Sequence, residues 1–395
     1  MRHSALTRRL DVASARVWDI HYQARERCEA GEDVILLTVG DPDFETPPAI
    51  VDEAERSLRR GRTRYSPTAG EPLLREAIAR HHQRITDQPV SAENVAVFAG
   101  AQSALFASML CLADAGDEIA VFEPRYVTYD GVIDTPGAVR VEVPLAAPQG
   151  FRFDPDALGR AVTPRMRAVL LNTPHNPTGI VAAREELEAI AAIAKRHDLW
   201  VLSDEVYASL TYDAPHVAIA SLPGMADRTV TINSLSKSHA MQGWRLGWAV
   251  GPEPLVRHLT HLIVSMVFGT PPFTQDAARF ALTSELVEVA AMERAYRARR
   301  DLLCARINAC PGLACQWPQG GMYAMVDVRG TGRSDEDFAW GLLEAEGVSV
   351  LPAATFGASA AGHVRVSLTA PEAVLGEACD RIERYARSLV GPRGP

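Results

Sequence analysis

The run Ser234-Leu-Ser-Lys-Ser-His-Ala-Met-Gln-Gly-Trp-Arg-Leu-Gly-Trp248 carries Lys237, one of only two lysines in a chain of 395 residues that otherwise places its basic charge on arginine. Arginine serves as well as lysine for solubility, but it does not lose a proton near neutral pH. A lysine amine does, and it then attacks a carbonyl to form a Schiff base. Lys237 is therefore a candidate for covalent aldehyde chemistry, whereas Lys195, in Ile-Ala-Lys-Arg-His, reads as an exposed helical residue. The neighbours of Lys237 suit a phosphate. Ser234 and Ser236 put two hydroxyls just before it, and Arg245, eight residues beyond, offers a forked pair of donors. Gly243 and Gly247 are expected to let backbone approach closely at both ends of the Arg245 turn. A phosphate-bearing aldehyde that pairs with lysine is pyridoxal phosphate.

Outward from this run, short apolar stretches alternate with helical ones, the pattern of a mostly parallel sheet covered by helices. Seven strands are expected, at 95–99, 118–122, 139–143, 168–171, 200–202, 229–232 and 248–250. A helix over 185–197 places Leu187, Ile190, Ala191 and Ala194 at helical spacing, so it can cover one face of the sheet. In open α/β sheets ligands collect at the carboxyl ends of strands. Gly100-Ala101-Gln102 follows the first strand and opens a helix, where free backbone N–H groups point at an anion. Asn172 through Gly179 follows another strand, Asp204 and Tyr207 a third, and Lys237 a fourth. Alone, Gly100 would mark only a strand-to-helix turn. Its place in this series makes it a site candidate.

From 284 onward the texture changes. An arginine-rich stretch at 293–300, expected to be a solvated helix face, leads into short strands at 322–328, 349–351 and 364–367 and helices at 335–346 and 371–387. The expected fold class is α/β with a second, smaller α+β domain. This change of texture sets a small domain at 284–395 apart from the larger one before it.

Composition narrows the function classes. The hydrophobic fraction of 47% and charged fraction of 23% are ordinary for globular proteins, and 49 acidic against 40 basic side chains give a formal charge of -9. That balance argues against a polyanion binder, so no nucleic acid is expected. The basic opening at 1–10 is followed by no apolar signal region, and no later stretch reads as a membrane span, so a cytoplasmic protein is expected. The six cysteines show no C-x-x-C and the histidines no H-E-x-x-H, so no metal and reduced thiols are expected.

These motifs resemble those of the class I and II aminotransferases of pyridoxal-phosphate fold type I, in family order over nearly the whole chain. They are Gly40-Asp-Pro-Asp-Phe44, Tyr65-Ser-Pro-Thr-Ala-Gly70, Gly100-Ala-Gln-Ser-Ala-Leu105, Asn172-Thr-Pro-His-Asn-Pro-Thr-Gly179, Ser203-Asp-Glu-Val-Tyr207, the Lys237 run, Gly320-Gly-Met-Tyr323 and Val364-Arg-Val-Ser367. Within that family, Trp18-Asp-Ile-His-Tyr22, Val127-Thr-Tyr129 and the lysine segment look most like the arginine:pyruvate transaminases. The resemblance implies that Lys237 holds the cofactor and moves a proton. It implies that Asp204 keeps the pyridine nitrogen protonated, and that Tyr207 and Asn176 hydrogen-bond the phenolic oxygen. Ala101, Gln102, Ser234, Ser236 and Arg245 would hold the phosphate. Tyr126 would stack on the ring or be a core tyrosine. Tyr65 would reach the phosphate of a neighbouring subunit, which implies a homodimer. The resemblance further implies that an N-terminal segment at 1–47 packs with the small domain and the active site, leaving 48–283 as the large domain. Arg365, with Asn176 and the Gly40 backbone, would clamp the substrate carboxylate and so orient the Cα–H bond.

A guanidinium donor needs an acidic partner away from that clamp. Asp19 is the candidate, with a helix-surface carboxylate as its alternative reading. Gln242, where the family more often has a small residue, stands close to the lysine. The expected reaction is ping-pong transfer of an amino group from arginine or another guanidino amino acid to pyruvate or a similar oxo acid. Aspartate or aromatic amino acids are alternative donors, and a C–S β-lyase shares the same lysine and clamp. A pyridoxal-dependent transcription regulator would need a DNA-binding module ahead of motifs that already begin within the first twenty residues.

Overall fold

The computed structural model describes residues 2–10 and 17–390. Among them, in chain order, lie the strands β1 (Ile35–Leu36), β2 (Val95–Phe98), β3 (Glu118–Glu123), β4 (Val139–Pro144), β5 (Met166–Asn172), β6 (Trp200–Asp204), β7 (Thr229–Ser234) and β8 (Gly247–Val250). Then come β9 (Ala314–Cys315), β10 (Tyr323–Asp327), β11 (Val348–Ser349), β12 (Leu351–Pro352) and β13 (His363–Ser367).

The seven expected strands form one sheet in the order β2-β8-β7-β6-β5-β3-β4. Only β8 runs against its neighbours. Strands buried on both faces read as continuous apolar runs, and β2, β3 and β8 are buried at every position. The edge strand β4 instead exposes Val139 and places Arg140 and Glu142 at intermediate or full exposure, which blunts an open edge. Alternation within each strand sorts the core into two layers. Ala120, Phe122, Val169, Leu171 and Val201 pack with Leu187 and Ile190 of the helix Arg184–Arg196. Ile119, Val121, Ala168, Leu170 and Leu202 pack on the other face with Leu105 and Met109 of the helix Ala101–Leu112.

The C-terminal part holds a second, antiparallel sheet in the order β12-β13-β10-β9, in which Met325 faces Arg365 in register. Helices Val287–Asn308, Asp335–Glu346 and Glu372–Val390 accompany it. The expected single strand at 349–351 is two, because its halves serve different partners: β11 pairs in parallel with β1, and β12 pairs with β13. The β1–β11 pair ties the N-terminal part of the chain to this sheet.

The arginine-rich stretch is not a uniformly solvated face. Arg299 and Arg300 are buried, at 5% and 4% exposure. Arg299 makes a bidentate pair with Asp43 at 2.7 and 2.8 Å and lies over Phe44. Arg300 pairs with Asp213 and Asp301 and lies over Tyr212. Each guanidinium is buried because carboxylates and aromatic faces replace its water.

Candidate active site

The carboxyl ends of β2, β3, β5, β6 and β7 meet residues of β10, β13 and the N-terminal part around one cavity of about 270 Å³. At its floor is Asp204, the last residue of β6 and 4% exposed. It accepts the Tyr129 hydroxyl at 2.7 Å and the Val206 amide at 3.3 Å, and among the described residues no cation pairs with it. Burial pushes its carboxyl up to about 6, against the pull of those two hydrogen bonds. Next to it, Asn172 closes β5. Its side chain donates to the Asp204 carbonyl at 3.0 Å and accepts the Asn176 amide at 2.8 Å, so the loop carrying Asn176 is locked onto β6.

Lys237 follows β7 and donates through Nζ to the Gly40 carbonyl at 2.6 Å. Ser234 and Ser236 line the same wall. Arg245, in left-handed backbone at φ 51°, anchors Nη1 on the Gln242 carbonyl at 2.6 Å. Its Nη2 lies so close to Gly100 that a Cβ there would fall 2.3 Å from it. Gly100, at φ 91°, caps the helix Ala101–Leu112 without any side-chain cap. First-turn N–H groups of that helix, two hydroxyls and a guanidinium therefore gather at one end of the cavity. Close backbone approach holds at Gly247, where a Cβ would lie 2.5 Å from the Ala101 nitrogen. It does not hold at Gly243, which has nothing within 4 Å, so only one of the two expected close contacts exists.

Arg365 projects from β13 and is 1% exposed. Its Nη1 donates to Asn176 Oδ1 at 3.0 Å and its Nη2 to the Thr38 carbonyl at 2.5 Å. Its Cζ lies 4.0 Å from the Tyr323 ring centroid. Among the described residues Nε has no partner and no carboxylate pairs with this guanidinium. A buried, uncompensated cation of this kind is a receptor for an anion.

Tyr207 is buried, with its ring edge-on to Tyr323 at 6.3 Å; burial, then Tyr323 and Tyr126, raise its hydroxyl well above the ordinary tyrosine value. Tyr126 is half-buried, packing on the core while lining the cavity. Burial, followed by Tyr323, pushes its hydroxyl up to about 12. Ala101, Gln102 and Gly40 also line the cavity. Three expected residues do not: Gly100, which lies against Arg245, together with Tyr65 and Asp19. Tyr65 is 85% exposed and lies against Phe268. Asp19 opens the helix Asp19–Glu29 on its exposed side and lines a separate cleft with Arg125 and Glu142. Its neighbour Trp18 lines the cavity instead, because adjacent residues at a helix start point about 100° apart. Sequence reasoning left Tyr129, Tyr323, Asn172 and Asp41 without roles. All four lie inside motifs it quoted, but nothing in the spacing named their partners.

A sequence profile of the aminotransferases of class I and II matches residues 32–382. The chain belongs to the class I and II aminotransferases. It is 51% identical over 391 residues to an arginine–pyruvate transaminase of Pseudomonas aeruginosa, covering 99% of this chain and all of that one. It is 38% identical over 375 residues to an aspartate/prephenate aminotransferase of Thermus thermophilus, covering 94% of each. The structure of the Thermus thermophilus aspartate aminotransferase with maleate superposes at a TM-score of 0.91 and 36% identity, covering 98% of this chain and 100% of that one. Aminotransferases of this family work on amino acids and 2-oxo acids and depend on pyridoxal phosphate.

The residues present fit that cofactor. Asp204 is a buried carboxylate whose ionised form burial disfavours and which no cation offsets among the described residues, and a protonated ring nitrogen would supply that counter-charge. The missing Cβ at Gly100 leaves Arg245 and the helix start free to meet on one phosphate. Among the described residues no helix is long and apolar enough to cross a membrane, and no cluster of His, Cys, Asp or Glu could hold a metal ion.

Proposed function

We propose that this aminotransferase moves the α-amino group of arginine, or of another guanidino amino acid, to pyruvate or a similar 2-oxo acid. The observation that carries the donor is the 51% identity, over essentially the whole of both chains, to a protein named arginine–pyruvate transaminase. Bound pyridoxal phosphate supplies an electron sink for the pair left on Cα when its proton departs.

The chain's own residues do the rest. Lys237 Nζ is the nucleophile that holds the aldehyde at rest and, once displaced, carries the proton away from the substrate Cα. Asp204 holds the proton on the ring nitrogen. Asn176 and Tyr207 hydrogen-bond the phenolic oxygen, while Tyr126 covers the ring face. Gly100, Ala101, Gln102, Ser234, Ser236 and Arg245 secure the phosphate. Arg365, with Asn176 and the Gly40 backbone, clamps the α-carboxylate and aligns Cα–H with the ring. Two substrates visiting one site in turn give ping-pong kinetics.

The same reading divides the chain at about 283, where its texture changes, and at about 47, as the family resemblance implies. It makes the working unit a cytoplasmic homodimer in which Tyr65 completes a neighbour's phosphate site. Exposure of Tyr65 and Phe268, away from their own chain's cavity, supports that arrangement.

The test is a single-turnover spectrum of cofactor-loaded protein mixed with arginine alone, then with pyruvate. Loss of the lysine-bound cofactor band with arginine and its return with pyruvate are expected. Response to aspartate or aromatic amino acids but not to arginine would replace the donor. Steady release of ammonia from a cysteine conjugate would replace the reaction with β-elimination.

A further inference from the structure

The Trp18-Asp-Ile-His-Tyr22 motif plays no part in that scheme, yet it reaches the cavity. Trp18 lines it immediately before the helix Asp19–Glu29. Its ring meets the His21 ring edge-on, with centroids 6.2 Å apart. His21 Nδ1 lies 2.7 Å from Thr38 Oγ1, and the Thr38 carbonyl accepts Arg365 Nη2 at 2.5 Å. Trp18 is thus indexed to the carboxylate clamp through two intervening residues. Burial, then Arg25, lowers the His21 pKa, so the link is made by a neutral ring near pH 7.

The charges on the cavity wall leave one further residue without a task. Among the described lining residues the cations are Lys237, Arg245 and Arg365, and each has a role above. The carboxylates are Asp204, engaged at the floor, and Asp41, which is exposed and, among the described residues, makes no ion pair or side-chain hydrogen bond. A cationic side chain entering here loses water and needs both a counter-charge and a surface that tolerates its flat face. Guanidinium groups stack on aromatic rings, tryptophan best of all.

We propose that Trp18 and Asp41 form the receptor for the distal cation of the amino donor, Trp18 by stacking and Asp41 by charge. This rests on the guanidino-donor reading above. Asp19, in its separate cleft, has no part in it.

The test compares arginine with citrulline, its neutral near-isostere, at fixed pyruvate, in wild type and in Trp18→Leu, Trp18→Phe and Asp41→Asn. The quantity read is the ratio of kcat/KM for arginine to that for citrulline. Trp18→Leu and Asp41→Asn are each expected to lower the ratio about tenfold, through KM for arginine, with Trp18→Phe keeping part of the discrimination. An unchanged ratio in both Trp18→Leu and Asp41→Asn overturns the receptor. So does an equal loss on both donors, which would mean the residues only shape the cavity. Wild-type enzyme that does not use arginine overturns the donor reading itself, before any variant is made, and the receptor falls with it.

Discussion

Arg365 Nη1 donates to Asn176 Oδ1 at 3.0 Å, joining β13 to the loop after β5 across 189 residues of chain. Because Asn176 is itself held by Asn172, and Asn172 by the Asp204 carbonyl, the proposed clamp and the proposed ring-nitrogen partner share one hydrogen-bonded frame.

Arg365→Lys keeps the charge and loses the fork. Amino donor and oxo acid both present an α-carboxylate, so kcat/KM is expected to fall about 100-fold in each half-reaction, in line with the loss of a buried charge-assisted pair. Half-reaction kinetics measured separately would decide it. A fall in only one half would remove Arg365 from the common clamp.

Lys237→Arg retains a cation near the Gly40 carbonyl but cannot give up a proton. Activity is expected to drop at least about 10³-fold, as for Lys237→Ala. Borohydride reduction of the loaded wild-type protein should fix the cofactor on the peptide containing Lys237, and neither variant should be labelled. Label on the Lys195 peptide would contradict the assignment.

Asp204 sets a pH dependence in the apoprotein. Its carboxyl ionises near 3.8 when unfolded and near 6 when folded. Below both values each state holds the proton and burial is neutral. As the pH rises through 6 the folded state must carry an ionised, desolvated carboxylate, and the penalty is complete above that. Two units correspond to about 3 kcal/mol. Apo Asp204→Asn is therefore expected to be more stable than apo wild type by up to ~3 kcal/mol at pH 8, with the gap closing toward pH 4. The same variant should lose about 10²–10³-fold in transamination, because it no longer holds the ring-nitrogen proton. Urea unfolding of both apoproteins across this range measures the first effect.

If Tyr65 reaches a neighbouring subunit, Tyr65→Phe should raise the cofactor dissociation constant about tenfold by removing one hydrogen bond to a charged group. The variant should leave the sedimentation mass at twice that of the chain. A monomeric wild type would rule out a shared site, and unchanged cofactor affinity would place the neighbour's contact elsewhere.

Several features were legible in the residues. The alternation of apolar runs and helices gave all seven strands of the large sheet to within two residues or so, because strands buried on both faces leave an unmistakable pattern. The lysine with its serines and arginine, and the polar residues at other strand ends, pointed to one site. In the structure Lys237, Asp204, Tyr207, Asn176 and Arg365 do line one cavity. Less legible were relationships that depend on what a side chain meets. The arginines at 299 and 300 looked solvated because charge usually is, and only Asp43 and Asp213, brought in from far away in the chain, explain their burial.

The sequence by itself determined the α/β class, the family and the chemistry its lysine can perform, since these rest on residue type and on spacing within single elements. Tertiary structure alone decided that Trp18 rather than Asp19 faces the cavity, that Tyr129 supports Asp204, and that Arg365 is buried without a carboxylate. Such choices depend on how separate elements pack, where a turn of a helix or one step of register selects the neighbour, and local periodicity carries no record of that partner.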